Sequence, residues 1–127
     1  MPLKKIIFAI DDQAAMGLVY QEILGEEFDL HCFQDAHEML KMSDDILPDL
    51  AIIDIGLADL DGYTLCEMLK QKEDMEDVPV IFVTGRDFSE DQGRAFFSGG
   101  TEYVTKPVEA DKFHSLVSKL LHKYSTP

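Results

Sequence analysis

The chain has 127 residues, enough to bury one substantial core and too few for two ordinary domains, so a single domain over 1–127 is expected. Its 25 acidic and 11 basic residues leave a formal charge of −14, which repels phosphate backbones and anionic lipid and argues against direct nucleic acid binding. The apolar runs Leu50 to Ile53 and Val78 to Val83 are far short of a membrane span and no signal-peptide pattern opens the chain, so a cytoplasmic protein without membrane insertion is expected.

Lys4 to Ile10 reads as a short buried strand that runs straight into Asp11-Asp12. Met16, Val19, Tyr20, Ile23 and Leu24 then recur at helical spacing, and Gly25 closes that first helix. Phe28 to Phe33 gives a second strand and Ala36 to about Met42 a second helix. Pro48 punctuates before Leu50 to Ile53, a third strand ending at Asp54. A third helix from about Tyr63 to Lys72 turns Leu65, Met68 and Leu69 inward, and Val80 to Val83 is a fourth strand ending at Thr84. A fourth helix covers about Ser89 to Ser98, and Gly99-Gly100 breaks the chain before a fifth strand, Glu102 to Thr105. That strand runs into Lys106-Pro107. The fifth helix begins near Glu109 and buries Phe113, Leu116, Val117 and Leu120. Cys32 and Cys66 have no metal-like or redox-like spacing and read as reduced filler.

Apolar strands alternating with amphipathic helices imply an α/β fold, a doubly wound five-stranded parallel sheet flanked by five helices, because parallel strands need crossover connections. In such sheets ligands bind beyond the carboxyl ends of the strands, near the point where the winding reverses. Asp11 and Asp12, Asp54, Thr84 and Lys106 all stand at such ends. Singly, each has a bland alternative: an Asp before a helix is most often a cap, Thr84-Gly85 a turn, Lys106-Pro107 a solvated loop. Jointly they point to one site. Three carboxylates in a crevice need protons, water or a cation, and Mg²⁺ suits a site that also holds a phosphoryl group, with Asp12 and Asp54 the leading direct ligands. Lys106 and Thr84 complement phosphoryl oxygens, and Asp54, ending the central strand, is the nucleophile candidate.

From Lys4 to about Tyr124 the sequence resembles the receiver domains of two-component response regulators. The resemblance is carried by Asp11 and Asp12, by Pro48-Asp49-Leu50-Ala51-Ile52-Ile53-Asp54, by Asp61-Gly62, by Thr84, and by Tyr103-Val104-Thr105-Lys106-Pro107. It implies the flavodoxin-like strand order 2-1-3-4-5. It also implies that Asp54 accepts a phosphoryl group from a histidine kinase or histidine phosphotransfer protein, with Mg²⁺ held by Asp12, Asp54 and the backbone carbonyl of Gly56, and by Asp11 mainly through water. Such a chain catalyses its own phosphorylation and slow autodephosphorylation and turns over no external metabolite. Thr84 and Tyr103 would be the switch pair, altering the surface of the fourth helix, fifth strand and fifth helix, and the Lys106–Pro107 peptide is expected to be cis.

Ala58 stands where the family commonly has proline. Gly56 and Arg86 lie where side chains influence the approach of water, so they are expected to tune phosphoryl lifetime. Phe97, about 100° round its helix from Phe96, is a candidate anchor for a partner or a homodimer on the output face, the bland alternative being a lone surface aromatic. An effector or output domain is implied but not visible, so the chain reads as a single-domain regulator or a receiver from a longer protein. A Mg²⁺-dependent phosphohydrolase of the haloacid-dehalogenase kind would carry a second Asp where Gly56 stands, and Asp11-Asp12 would repel a flavin phosphate. A phosphorylation-independent module with the receiver fold remains the alternative.

Overall fold

The computed structural model describes residues 3–85 and 98–124, and among them five strands and four helices. The strands are β1 (Ile6–Ile10), β2 (Asp29–Phe33), β3 (Leu50–Asp54), β4 (Val80–Thr84) and β5 (Glu102–Thr105). Between them run α1 (Ala14–Leu24), α2 (Ala36–Met42) and α3 (Gly62–Lys70), and a C-terminal helix spans Ala110–Tyr124. The helix expected over about 89–98 lies outside the described residues except for Ser98, as do Arg86 and Phe97.

The sheet order is β2-β1-β3-β4-β5 and every adjacent pair is parallel, as the alternation of elements requires. β3 and β4 are buried along their whole length, the mark of strands covered on both sides. Alternate residues are sorted into two cores. Ile7, Ala9, Leu50, Ile52, Ile81 and Val83 meet α1 and the C-terminal helix through Tyr20, Leu24, Phe113 and Val117. Phe8, Ile10, Ala51, Ile53, Val80 and Phe82 meet α2 and α3 through Ala36, Met39, Tyr63, Leu65, Cys66 and Leu69. Each fully buried large aliphatic or aromatic side chain contributes on the order of 1.5–3 kcal/mol, and both layers are built from them.

Two expectations about packing change, and one acquires a different physical reason. Met68 is 40% exposed, because the inner face of α3 is centred on Tyr63, Leu65, Cys66 and Leu69, leaving Met68 at its margin. In the C-terminal helix Leu121 joins the buried set with Phe113, Val117 and Leu120, while Leu116 packs against the core half-buried. Gly25 does close α1, but from the right-handed region (φ −67°); a Cβ there would stand 2.5 Å from the Gln21 carbonyl oxygen, so space selects the glycine.

Strand register delivers the crevice. After β1 the chain builds β2 on one side and returns to place β3 on the other, so the winding reverses between β1 and β3. Ile10 pairs with Ile53, which makes Asp11 and Asp54 the next residues along the two strands. Thr84 pairs with Thr105, which makes Lys106 the first residue beyond β5.

Candidate functional site

Asp11 and Asp54 are almost fully buried, Asp12 is exposed, and carboxylate oxygens of all three lie within 4.8 Å of one another. Backbone hydrogen bonds fix the strand ends: Asp11 N–H donates to the Phe33 carbonyl (3.1 Å), Ile55 N–H to Val83 (3.2 Å) and Lys106 N–H to Thr84 (2.7 Å). The Lys106 ammonium then reaches back across the crevice, Nζ lying 2.8 Å from Asp11 Oδ2 and 3.7 Å from Asp54 Oδ2. The Lys106–Pro107 peptide is cis, as expected.

A local turn and the crevice share the Asp11 carboxylate. Its Oδ1 accepts the N–H of Gln13, whose own side chain makes no cap at the start of α1, while its Oδ2 faces Lys106. Asp11 therefore does not cap α1: one oxygen closes a local turn just before the helix and the other serves the crevice. Asp12 shares in neither bond, and its side chain is open to solvent.

Asp54 is poised unfavourably as an anion. Burial pushes its carboxyl above the usual range and the Asp11 carboxylate adds to this. The N–H of Gly56, 3.2 Å from Oδ1, and the Lys106 ammonium pull it back, and Asp12 raises it again. Hard oxygen donors whose mutual repulsion one lysine only partly offsets are what a divalent cation would relieve, so the residues present fit a hard, oxygen-seeking metal.

Thr84, 3% exposed, closes β4 beside this group, and Gly56 sits in the loop after β3, exposed and with open space where a side chain would project. Tyr103 is turned toward the α3 core, and its hydroxyl lies 3.0 Å from that of Tyr63. The structure thus brings Asp11, Asp12, Asp54, Thr84, Lys106 and Gly56 to one edge and sets Tyr103 beneath it.

Four contributors escaped the sequence reading or were only partly read. Gly62, visible in the sequence as half of the Asp61-Gly62 pair, packs against β3 so closely that a Cβ would lie 2.5 Å from the Asp54 carbonyl oxygen. Asp59 Oδ2 accepts the Ala36 N–H (3.1 Å) and so helps Asp35 cap α2 from across the loop. Tyr63 is legible in the sequence only as the start of a helix. Tyr20 reads in the sequence as a helix-face apolar residue, yet its buried hydroxyl has no hydrogen-bond partner among the described residues. Burial, then Asp11 and Asp54, push its phenol far above the usual range. Helical side chains lean toward the helix N-terminus, which directs Tyr20 toward the crevice edge. No sequence signal distinguishes it from the apolar residues of α1.

A doubly wound parallel domain with three carboxylates, a hydroxyl and a lysine at its strand ends is the architecture of a phosphoryl-handling signalling module rather than of a nucleotide-cradling one. The family model of the response regulator receiver domain matches residues 7–118, and the chain belongs to that family. Among curated proteins it is 34% identical over 114 residues to a protein of Staphylococcus epidermidis named heme response regulator HssR, and 33% identical over 115 residues to its Staphylococcus aureus namesake. Those stretches are 90% and 91% of this chain and 50% of each relative, so the chain spans about half their length. Among solved structures, a CheY-like response regulator receiver domain protein from Methanospirillum hungatei aligns with TM-score 0.88 at 26% identity over 97% of both chains. The receiver domain of a signal transduction histidine kinase from Syntrophus aciditrophicus aligns with TM-score 0.86 at 27% identity, over 97% of this chain and 94% of that one. The fold and the role of phosphoacceptor receiver in two-component signalling follow from this membership. Receiver domains generally bind Mg²⁺ at an acidic pocket of this kind. Among the described residues no helix is long and apolar enough to cross a membrane.

Proposed function

We propose that Asp54 is the phosphoacceptor of this receiver, taking a phosphoryl group from a phosphohistidine on a histidine kinase or phosphotransfer protein. The observation that supports this best is the register-driven convergence of Asp11, Asp12, Asp54 and Lys106, with the lysine 3.7 Å from Asp54. An Asp54 carboxylate oxygen forms the new bond to phosphorus as the bond from phosphorus to the donor nitrogen breaks, and the electron pair leaves with the imidazole. Lys106 is placed to exchange part of its pairing with Asp11 for a phosphoryl oxygen, and the Thr84 hydroxyl to donate to another.

Asp11, Asp12, Asp54 and the Gly56 carbonyl would hold Mg²⁺, which when bound supplies charge neutralisation for the phosphoryl oxygens. Burial of Asp54 keeps the acceptor out of bulk water, which slows hydrolysis of the acyl phosphate, and the exposed, side-chain-free Gly56 leaves one approach for water open. Gly56 is thereby a lifetime determinant, and Arg86 is proposed as its counterpart. Thr84 and Tyr103 act as the switch pair, and the altered surface around β5 and the C-terminal helix meets a downstream effector, an output domain or a second copy of the chain.

Intact mass after incubation with acetyl phosphate and Mg²⁺ tests the assignment. A single phosphoryl adduct that requires the metal and is lost in Asp54→Asn is expected; no adduct on the folded parent protein would favour a phosphorylation-independent interaction module instead.

A further inference from the structure

Tyr103 lies on β5, the outermost strand on its side of the described sheet, where a tyrosine ordinarily keeps its phenol in water. Here the ring turns toward the core. In register Tyr103 stands opposite Phe82, and the two rings meet edge to face at 6.3 Å; Phe82 in turn meets Tyr63 edge to face at 5.0 Å. A hydrogen bond between the Tyr63 and Tyr103 hydroxyls, 3.0 Å long, closes the triangle. Tyr63 is 2% exposed and begins the inner face of α3, so its hydroxyl is a buried point for the less buried edge residue to dock on.

Tyr63 is also tied to the acceptor strand. Its N–H donates to Asp61 Oδ1 (2.8 Å), and the N–H of its neighbour Gly62 donates to the Ile55 carbonyl (3.2 Å). Gly62 lies so close to the Asp54 carbonyl that no side chain fits between them. The path from acceptor to edge therefore runs from Asp54 through Gly62 and Tyr63 to Tyr103, each step a contact or a hydrogen bond.

We propose that Tyr63 is a latch: its hydroxyl holds Tyr103 turned inward and so sets the resting population of the β5 surface that Tyr103 would otherwise cover. None of the groups that make the latch belongs to the crevice, so its bias acts whatever occupies that crevice. A neutral hydrogen bond of this kind shifts a two-state rotamer equilibrium by roughly two- to tenfold. A phosphoryl group on Asp54 then has correspondingly less to shift, and a partner selective for the inward form finds part of the population ready before any signal arrives. Only this last coupling rests on the phosphoacceptor reading; the hydroxyl pair stands without it.

The test uses tyrosine-ring ¹³C NMR on the whole chain, its four tyrosines assigned by single Tyr→Phe variants, with no phosphodonor present. Tyr63→Phe keeps the ring packed on Phe82 and removes only the hydroxyl. It should move the Tyr103 signal toward the solvent-exposed position by a roughly two- to tenfold change in rotamer ratio. A cycle of Tyr63→Phe, Tyr103→Phe and the double variant in urea unfolding should show a coupling of similar size in the folding constant. A Tyr103 signal unmoved by Tyr63→Phe, or a coupling factor near one, overturns the latch. Both readings are free of phosphodonor, so they decide the latch whether or not acetyl phosphate gives an adduct on Asp54; failure of that adduct counts against the acceptor assignment alone.

Discussion

At the residue scale the crevice is a balance of like charges held close by the backbone. Burial and Asp11 hold the Asp54 carboxyl above its usual range. A carboxyl raised on folding contributes stability below its unfolded value, near pH 4, and loses that contribution as pH rises through the folded value, so at neutral pH the ionised Asp54 is a cost. In metal-free buffer Asp54→Asn should therefore melt above the parent protein at pH 7. That advantage should vanish below about pH 4, where both carry a neutral side chain. A calorimetric series across this range checks the sign, and equal melting of parent and variant at pH 7 would show that Lys106 and the Gly56 N–H already offset the repulsion. Adding Mg²⁺ should raise the melting point of the parent in proportion to the logarithm of metal concentration above its dissociation constant, and raise that of Asp54→Asn far less. Lys106→Met retains the aliphatic stem but leaves Asp11 and Asp54 uncompensated. It should cut adduct formation from acetyl phosphate by on the order of tenfold or more, and lower metal-free stability at pH 7.

At the element scale the short helices depend on particular caps and close approaches. The seven-residue α2 is too short to persist by propensity alone, and its first turn is held by Asp35, which accepts from His37 and Glu38, and by Asp59, which accepts from Ala36. Asp59→Ala should cost about 0.5–2 kcal/mol in urea unfolding. The start of α3 presses on the last residues of β3, so Gly62→Ala must displace either the helix or the acceptor strand; a loss of about 1–3 kcal/mol is expected. Because Gly62 meets the Asp54 backbone, the same variant should also slow adduct formation. A variant destabilised yet phosphorylated at the parent rate would show that the strain is absorbed on the helix side.

Across the whole molecule, two cores on opposite faces of one sheet make the C-terminal edge of the strands a rigid frame for otherwise repulsive groups. β1, β3 and β4 are buried on both faces, whereas β2 and β5 are outer strands of the described sheet with exposed positions. Amide hydrogen exchange should accordingly be slowest in the three central strands and faster in β2 and β5. A β5 as protected as β3 would mean that this edge opens only with global unfolding. Such an ordering would leave Asp54 on a protected strand and Tyr103 on a looser edge.

The sequence by itself determined the alternation of elements, and with it the parallel sheet, because a parallel strand buried on both faces must be apolar throughout and its crossover helix amphipathic. It also determined which residues stand at strand ends: Asp11, Asp12, Asp54, Thr84 and Lys106 are one or two steps beyond strand runs that are legible without coordinates. Tertiary structure alone decided how those ends are shared. That Asp11 uses one oxygen to close the turn before α1 and the other to meet Lys106 depends on a contact spanning 95 residues, which no local pattern encodes. The need for glycine at position 62, the cap supplied by Asp59, the exposure of Met68 and the bond between Tyr63 and Tyr103 are likewise properties of register and helix docking. Periodicity says which face of an element turns inward, but not which atoms of two distant faces then come within hydrogen-bonding distance.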